Sequence, residues 1–248
     1  MRTTYAESTA GGLLDSSVTV AGPSVAGSDV PAWRRSTPGE PRWHLVVVVL
    51  VAIGLQLALP EQLGLRPKML LPALEGALLV ALVVAEPGRL ESRHPALRYG
   101  GLLMVALVTL ANATSAVLLV RELLGGQGRS GSASALLTSG ATVYLTNIVA
   151  FGLWFWDTDR GGPVARSAGD RQHPDLMFAQ MASPELAVPG WEPRLLDYLY
   201  LSYTNATAFS PTDTLPMARW AKALMALQST VALVTVALVI ARAVNVLT

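Results

Sequence analysis

The sequence has no cysteine, few charged residues and few aromatic residues. Of its 248 residues, 14% are charged and 6% are aromatic, whereas a soluble domain carries about 25% charged residues. The lack of cysteine excludes disulfides, thiolate metal sites and cysteine nucleophiles. The net charge of +1 provides no electrostatic attraction for nucleic acid. We therefore expect no nucleic-acid partner.

Apolar residues dominate what is present. They make up 52% of the chain, the mean hydropathy is +0.44, and no segment has a convincing strand pattern. These features predict an all-α integral membrane protein whose main partner is the lipid bilayer.

The first 156 residues divide into two regions. Residues 1–40 are rich in Ser, Thr, Gly, Ala and Pro, so we predict a disordered N-terminal tail without a cleaved signal peptide. Residues 41–156 contain four apolar runs, which predict a four-helix transmembrane region. The runs lie between Arg42 and Glu61, at Met69–Ala85, at Gly101–Val120 and at Ser130–Trp156. The second run is the weakest candidate because it contains Pro72 and Glu75.

The last 92 residues also divide into two regions. Residues 157–194 are polar, and we predict a loop with a short interfacial helix. Residues 195–248 contain an apolar segment of 15 residues, then Ser210–Asp213, then the uncharged run Ala223–Ala241. The 15-residue segment would extend only about 22 Å as a helix. We therefore predict a re-entrant helix followed by the fifth and last span.

The basic residues predict an orientation. With the N-terminus inside, ten arginines beside the predicted spans lie on the cytoplasmic side, and four basic residues lie opposite. The positive-inside rule therefore favours a cytoplasmic N-terminus. Four preceding spans then place the re-entrant segment on the cytoplasmic side, unless the N-terminus is outside or the second run does not span.

Residues 195–243 resemble the pore module of the tetrameric potassium-channel family, in which a short pore helix and a filter strand precede a long inner helix. Three positions match the family in residue type and spacing, and four differ from it. The matching residues are Thr204, Thr207 and Asp213. The differing residues are Ala208, Ser210, Pro211 and Thr212, where the family has Thr, Gly, Tyr and Gly. The resemblance implies a homotetramer whose filter-like loop surrounds an axis and admits a monovalent cation, without a standard potassium filter.

The same part of the chain is also similar to a bacterial family of predicted membrane proteins of unknown function. The similarity lies in Asp197–Tyr203 and Ser210–Thr214, followed by the long final helix. It implies a location in a bacterial plasma membrane and no particular activity.

Three polar residues within the predicted spans form a second candidate site. Glu75 is either a proton or cation site, or the partner of a polar group on a neighbouring helix. Asn112 and Asn147 either line a polar route or form hydrogen bonds between helices, and the latter is favoured.

The sequence carries no enzyme signature. Its three histidines lack metal-ligand spacing, so we predict no catalytic residue, metal or cofactor. A channel-like protein is the preferred hypothesis. The alternatives are a non-conducting membrane scaffold or accessory protein, and a small-solute transporter that uses Glu75.

Overall fold

The computed structural model describes residues 30–125, 133–208 and 213–247. The chain is mostly helical, at 73%, and the all-α prediction is confirmed. The α-helices in these ranges are α1 (Arg42–Ala58), α2 (Leu70–Ala85), α3 (Pro95–Leu124), α4 (Ala133–Thr158), α5 (Pro163–Ser167), α6 (Ala179–Ala182), α7 (Leu195–Ala208) and α8 (Arg219–Leu247). Two short strands, β1 (Leu176–Phe178) and β2 (Thr214–Pro216), pair antiparallel.

Three of the described helices are long and apolar enough to cross a membrane. They are α3, the segment Ser134–Gly161 that contains most of α4, and Arg219–Val244 of α8. The apolar helices α1 and α2 are shorter, at 17 and 16 residues. Pro72 does not break α2 because it lies in the first turn, where a backbone N–H has no partner within the helix.

Helix α4 is the centre of the bundle and contacts α1, α3, α7 and α8. Two of its glycines allow neighbouring helices to approach closely. A Cβ atom at Gly140 would lie 2.6 Å from Cγ2 of Val239 in α8, and one at Gly152 would lie 2.7 Å from Cδ2 of Leu199 in α7. The fully buried Leu153 and Phe155 of α4 belong to the main core.

One end of the bundle carries a layer of polar chain, which we call the polar end. It consists of residues 30–41, 86–94 and 159–194. The backbone N–H of Thr37 donates to the carbonyl of Ser167 at 2.8 Å, and Pro41 forms a β-bridge with Arg89. Helices α1 and α3 begin at the polar end, and α2 and α4 end there.

The described residues 195–208 and 213–216, which we call the returning segment, begin and end at the polar end. Near the start of α7, the Tyr198 hydroxyl donates to Asp159 at 2.6 Å, and further along the Ser202 hydroxyl donates to the carbonyl of Ile148 at 2.6 Å. By Thr214 the chain has returned, because this residue pairs with Phe178 of β1. Helix α8 then runs away from the polar end along α4.

Candidate functional site

The predicted filter residues have different environments. The Thr204 side chain is buried, and its hydroxyl donates to the carbonyl of Leu201 at 3.0 Å. Thr207 is exposed near the end of α7, and its hydroxyl donates to the carbonyl of Tyr203 at 2.9 Å. Asp213 is exposed where the chain returns. The remaining predicted residues, Ser210, Pro211 and Thr212, lie outside the described residues.

A buried polar network joins α7 to α8. The Gln228 amide is completely buried. Its nitrogen donates to the Ser202 hydroxyl at 2.6 Å and to the Ser202 carbonyl at 2.9 Å. Its oxygen accepts from the Asn205 amide at 2.8 Å, and Asn205 also donates to the carbonyl of Met225 at 3.0 Å. The network therefore holds the C-terminal half of α7, which lies away from the polar end, in one register against α8.

A buried carboxylate holds the N-terminal half of α7, which lies near the polar end. Asp159 is fully buried and accepts the hydroxyl of Tyr198 at 2.6 Å. It also accepts the backbone N–H groups of Asp175 and Leu176 at 3.1 and 3.2 Å. Its hydrogen bonds therefore connect the end of α4, the start of β1 and the first turn of α7.

Two buried arginines lie beside this carboxylate. Arg160 is 2% exposed, and its guanidinium donates to the carbonyl of Trp33 at 2.8 Å. Arg166 donates to the carbonyl of Asp159 at 3.0 Å, and its guanidinium carbon lies 4.8 Å from the centre of the Tyr198 ring. Buried charges are tolerated when opposite charges and hydrogen bonds accompany them. The site therefore contains its own counter-charges.

The polar end also binds the first backbone amide of α7. Glu40 accepts the backbone N–H of Leu195 at 2.8 Å and the indole N–H of Trp156 at 2.8 Å. A carboxylate at this position is favoured by the positive end of the helix dipole. The last residues of the predicted N-terminal tail thus contribute directly to the anchoring of α7.

Sequence reasoning missed Ser202, Asp159, Arg160, Arg166 and Glu40 as parts of a site. Asp159 and Arg160 lie in Asp157-Thr-Asp-Arg160, a charged group directly after an apolar run, and this pattern was the one available signal. The site contacts of Glu40 are with residues 116 and 155 positions away in the chain, and those of Ser202 are with residues 54 and 26 positions away. No local pattern indicates such contacts.

The second predicted site divides into two separate pairs. Glu75 is fully buried in α2, and the amide of Gln56 in α1 donates to both of its carboxylate oxygens at 3.0 and 2.9 Å. Asn112 and Asn147 meet across α3 and α4 at 3.4 Å. Within the described ranges, Asn112 Oδ1 and Asn147 Nδ2 have no hydrogen-bond partner, and no hydrogen bond connects this pair to Glu75.

Two further observations bear on function. Among the described residues, no three side chains of His, Asp or Glu lie close enough together to hold a metal ion. No family model, curated protein or solved structure matches this chain. A functional assignment therefore depends on the geometry described above.

Proposed function

We propose that this protein is an integral membrane protein whose returning segment forms a cation pore together with copies of itself. The observation that supports this proposal is that α7 enters the bundle from the polar end and the chain is back at that end by Thr214. Within a bilayer, irregular backbone is stable only where it is buried in protein or lines water. The C-terminal end of a helix carries a partial negative charge, which favours a cation.

The proposed spans are α1, α2, α3, α4 and α8. The hydrocarbon core of a bilayer is about 30 Å thick, and α1 and α2 would cover roughly 25 Å at 1.5 Å per residue. Local thinning of the bilayer accommodates such a mismatch at modest cost. The bias of basic residues supports a cytoplasmic location for the polar end, and the proposed location is a bacterial plasma membrane.

Self-association is supported by the surface of the last helix. Only 28% of the most apolar stretch of α8 is buried, against 67% of the corresponding stretch in the segment that contains most of α4. On α7, the side chains of Tyr200 and Tyr203 are each more than half exposed, and Thr207 is also exposed. One returning segment cannot enclose an axis, whereas four copies around an axis would surround it, with Thr207 and Asp213 near the pore.

The first test is the subunit count of the purified full-length protein in detergent. We expect a tetramer, and after reconstitution we expect potassium or sodium flux across liposomes. The variants Thr207→Val and Asp213→Asn are expected to change that flux while the protein remains folded and tetrameric. Thr138→Val is the matched control, because this exposed α4 hydroxyl also donates to a carbonyl four residues earlier. A monomer would contradict the proposal.

A non-conducting scaffold is the second candidate, and the network around Gln228 favours it. Ser202, Asn205 and Gln228 satisfy one another within one chain, as a helix junction without a pore requires. In that case Thr207→Val and Asp213→Asn would either change nothing or only reduce folding. An absence of flux from a confirmed tetramer would favour this candidate.

A further inference from the structure

A cavity of about 320 Å³ lies at the polar end, apart from the returning segment. The start of α1, the end of α2, the start of α3, the end of α4 and α5 surround it. Its volume is in the range of small-molecule sites, which begin at about 300 Å³. The cavity has the size of a binding site, and nothing described above uses it.

The cavity has an apolar part. Leu45 of α1, Leu82 of α2, Leu97 of α3 and Trp156 of α4 line it. Leu45, Leu82 and Trp156 are themselves buried in the core, so this wall is held rigidly by the bundle. Burial of an apolar portion of a ligand against this wall would make the free energy of binding more favourable.

The cavity also has a charged part that is balanced in sign. Three arginines and three carboxylates line it, and they form three ion pairs. The pairs are Arg42 with Glu86, Arg93 with Asp170 at 3.0 Å, and Arg98 with Asp157 at 2.6 Å. A lone anion or a lone cation would leave an unbalanced charge among these pairs, which is costly in a partly buried site. A group that carries both charges avoids this cost.

Two of the innermost charged side chains are incompletely satisfied. The side chains of Arg42 and Asp157 are each only 4% exposed. Among the described residues, Arg42 Nε and Asp157 Oδ2 have no hydrogen-bond partner. Buried polar atoms without a partner are rare and require an explanation. Here one is a donor and the other an acceptor, as recognition of both an oxyanion and an ammonium group requires.

We propose that this cavity binds a zwitterionic group, an ammonium together with a phosphate or carboxylate, attached to an apolar portion. The oxyanion lies towards Arg42 and Arg98, and the ammonium lies towards Asp157 and Glu86. The apolar portion lies against the apolar part of the cavity. Two sources carry this chemistry, a phosphatidylethanolamine headgroup and a free apolar amino acid. The lipid source depends on the membrane insertion proposed above, whereas the amino acid does not.

The test uses the full chain with two probes. In the first, the protein is purified from vesicles with equal phosphatidylethanolamine and phosphatidylglycerol, and the retained lipid is identified by native mass spectrometry. In the second, L-phenylalanine is added to the delipidated protein, and its melting temperature is measured, since a ligand that binds the folded state raises it. We expect at least tenfold enrichment of phosphatidylethanolamine, a rise in melting temperature, or both.

The decisive variant is Gly101→Leu, which adds a side chain at the cavity wall. A Cβ at Gly101 would meet only Asp157 Oδ1, at the ordinary contact distance of 3.7 Å, and leucine is a better helix former than glycine. The variant is therefore expected to fold, to reduce any enrichment of phosphatidylethanolamine at least tenfold, and to show no rise in melting temperature with L-phenylalanine. Gly54→Leu on α1 is the control, because a Cβ there has open space, and it should respond like the wild type.

Each outcome distinguishes the sources or overturns the proposal. Enrichment of phosphatidylethanolamine that is lost in Gly101→Leu identifies the lipid source. A melting response to L-phenylalanine that is lost in the same variant identifies the free amino acid. Equal retention of both lipids without a melting response would overturn the proposal, and so would a response that survives in Gly101→Leu. None of these readouts depends on ion flux, so the pore proposal can fail separately.

Discussion

The side chain of Tyr198 shows how a single residue positions the returning segment. It is completely buried, its hydroxyl donates to Asp159, and its ring lies edge-on to Phe178 with centroids 5.2 Å apart. A hydrogen bond to a buried carboxylate contributes about 1.5–3 kcal/mol. One tyrosine thus connects α7 to the end of α4 through its hydroxyl and to β1 through its ring.

Tyr198→Phe tests this role. The ring packing is retained but Asp159 loses one of its donors, so we expect a loss of about 1.5–3 kcal/mol in the free energy of unfolding. The measurement is chemical unfolding in detergent micelles. Tyr200→Phe on the same helix is the matched control, because its side chain is 53% exposed, and we expect a change within about 0.5 kcal/mol. Equal effects of the two variants would contradict the role of the Asp159 contact.

Among the helices, the close approach of α4 and α7 depends on a missing side chain. A Cβ at Gly152 would lie 2.7 Å from Cδ2 and 3.2 Å from Cα of Leu199. The Leu199 side chain can rotate, but its backbone is held by the Ser202 and Tyr198 hydrogen bonds on the same helix. Small residues permit such close packing between helices, including those in membranes.

We expect Gly152→Ala to reduce the free energy of unfolding by about 1–3 kcal/mol, because the added methyl group forces α7 away from α4. Gly54→Ala is the control, since a Cβ at Gly54 meets nothing within 4 Å. There alanine lowers the entropy lost on helix formation, and we expect a gain of up to about 1 kcal/mol. Thermal unfolding of both variants in the same detergent provides the comparison. A Gly152→Ala protein as stable as the wild type would contradict the close packing.

For the whole molecule, the fold separates two ends of different character. The polar end collects residues 30–41, 86–94 and 159–194, α7 begins there, and the chain is back at this end by Thr214. The connection between α1 and α2 lies at the opposite end, where the Lys68 ammonium donates to the carbonyls of Leu57 and Leu59 at the end of α1. In the proposed membrane protein, these ends face opposite aqueous compartments.

The absence of cysteine makes this arrangement directly measurable, because a single introduced cysteine has no background. Gln172→Cys places a thiol at the polar end, and Gln62→Cys places one at the opposite end; both glutamines are exposed. With a membrane-impermeant maleimide on intact cells, we expect labelling of Gln62→Cys only. Gln172→Cys should label after permeabilisation. The reverse pattern would place the N-terminus outside, and labelling of both in intact cells would contradict the proposed spans.

The helical class and the approximate positions of the long helices could be predicted from local sequence patterns. Runs such as Gly101–Val120 are long and nearly uncharged, and this property is local, so it can be read without knowledge of neighbours. The short segment from residue 195 and the return near Asp213 could also be anticipated, because length and a turn-forming Ser-Pro pair are local features.

The pairing of the buried polar groups depends instead on how distant segments pack. Gln56 with Glu75, Gln228 with Ser202, and Glu40 with the first amide of α7 are all contacts between different elements. The charged cavity likewise depends on five helices that come together at one end. Each buried polar atom must find a partner once water is removed, and packing of distant segments determines that partner. Composition and spacing alone therefore could not identify these contacts.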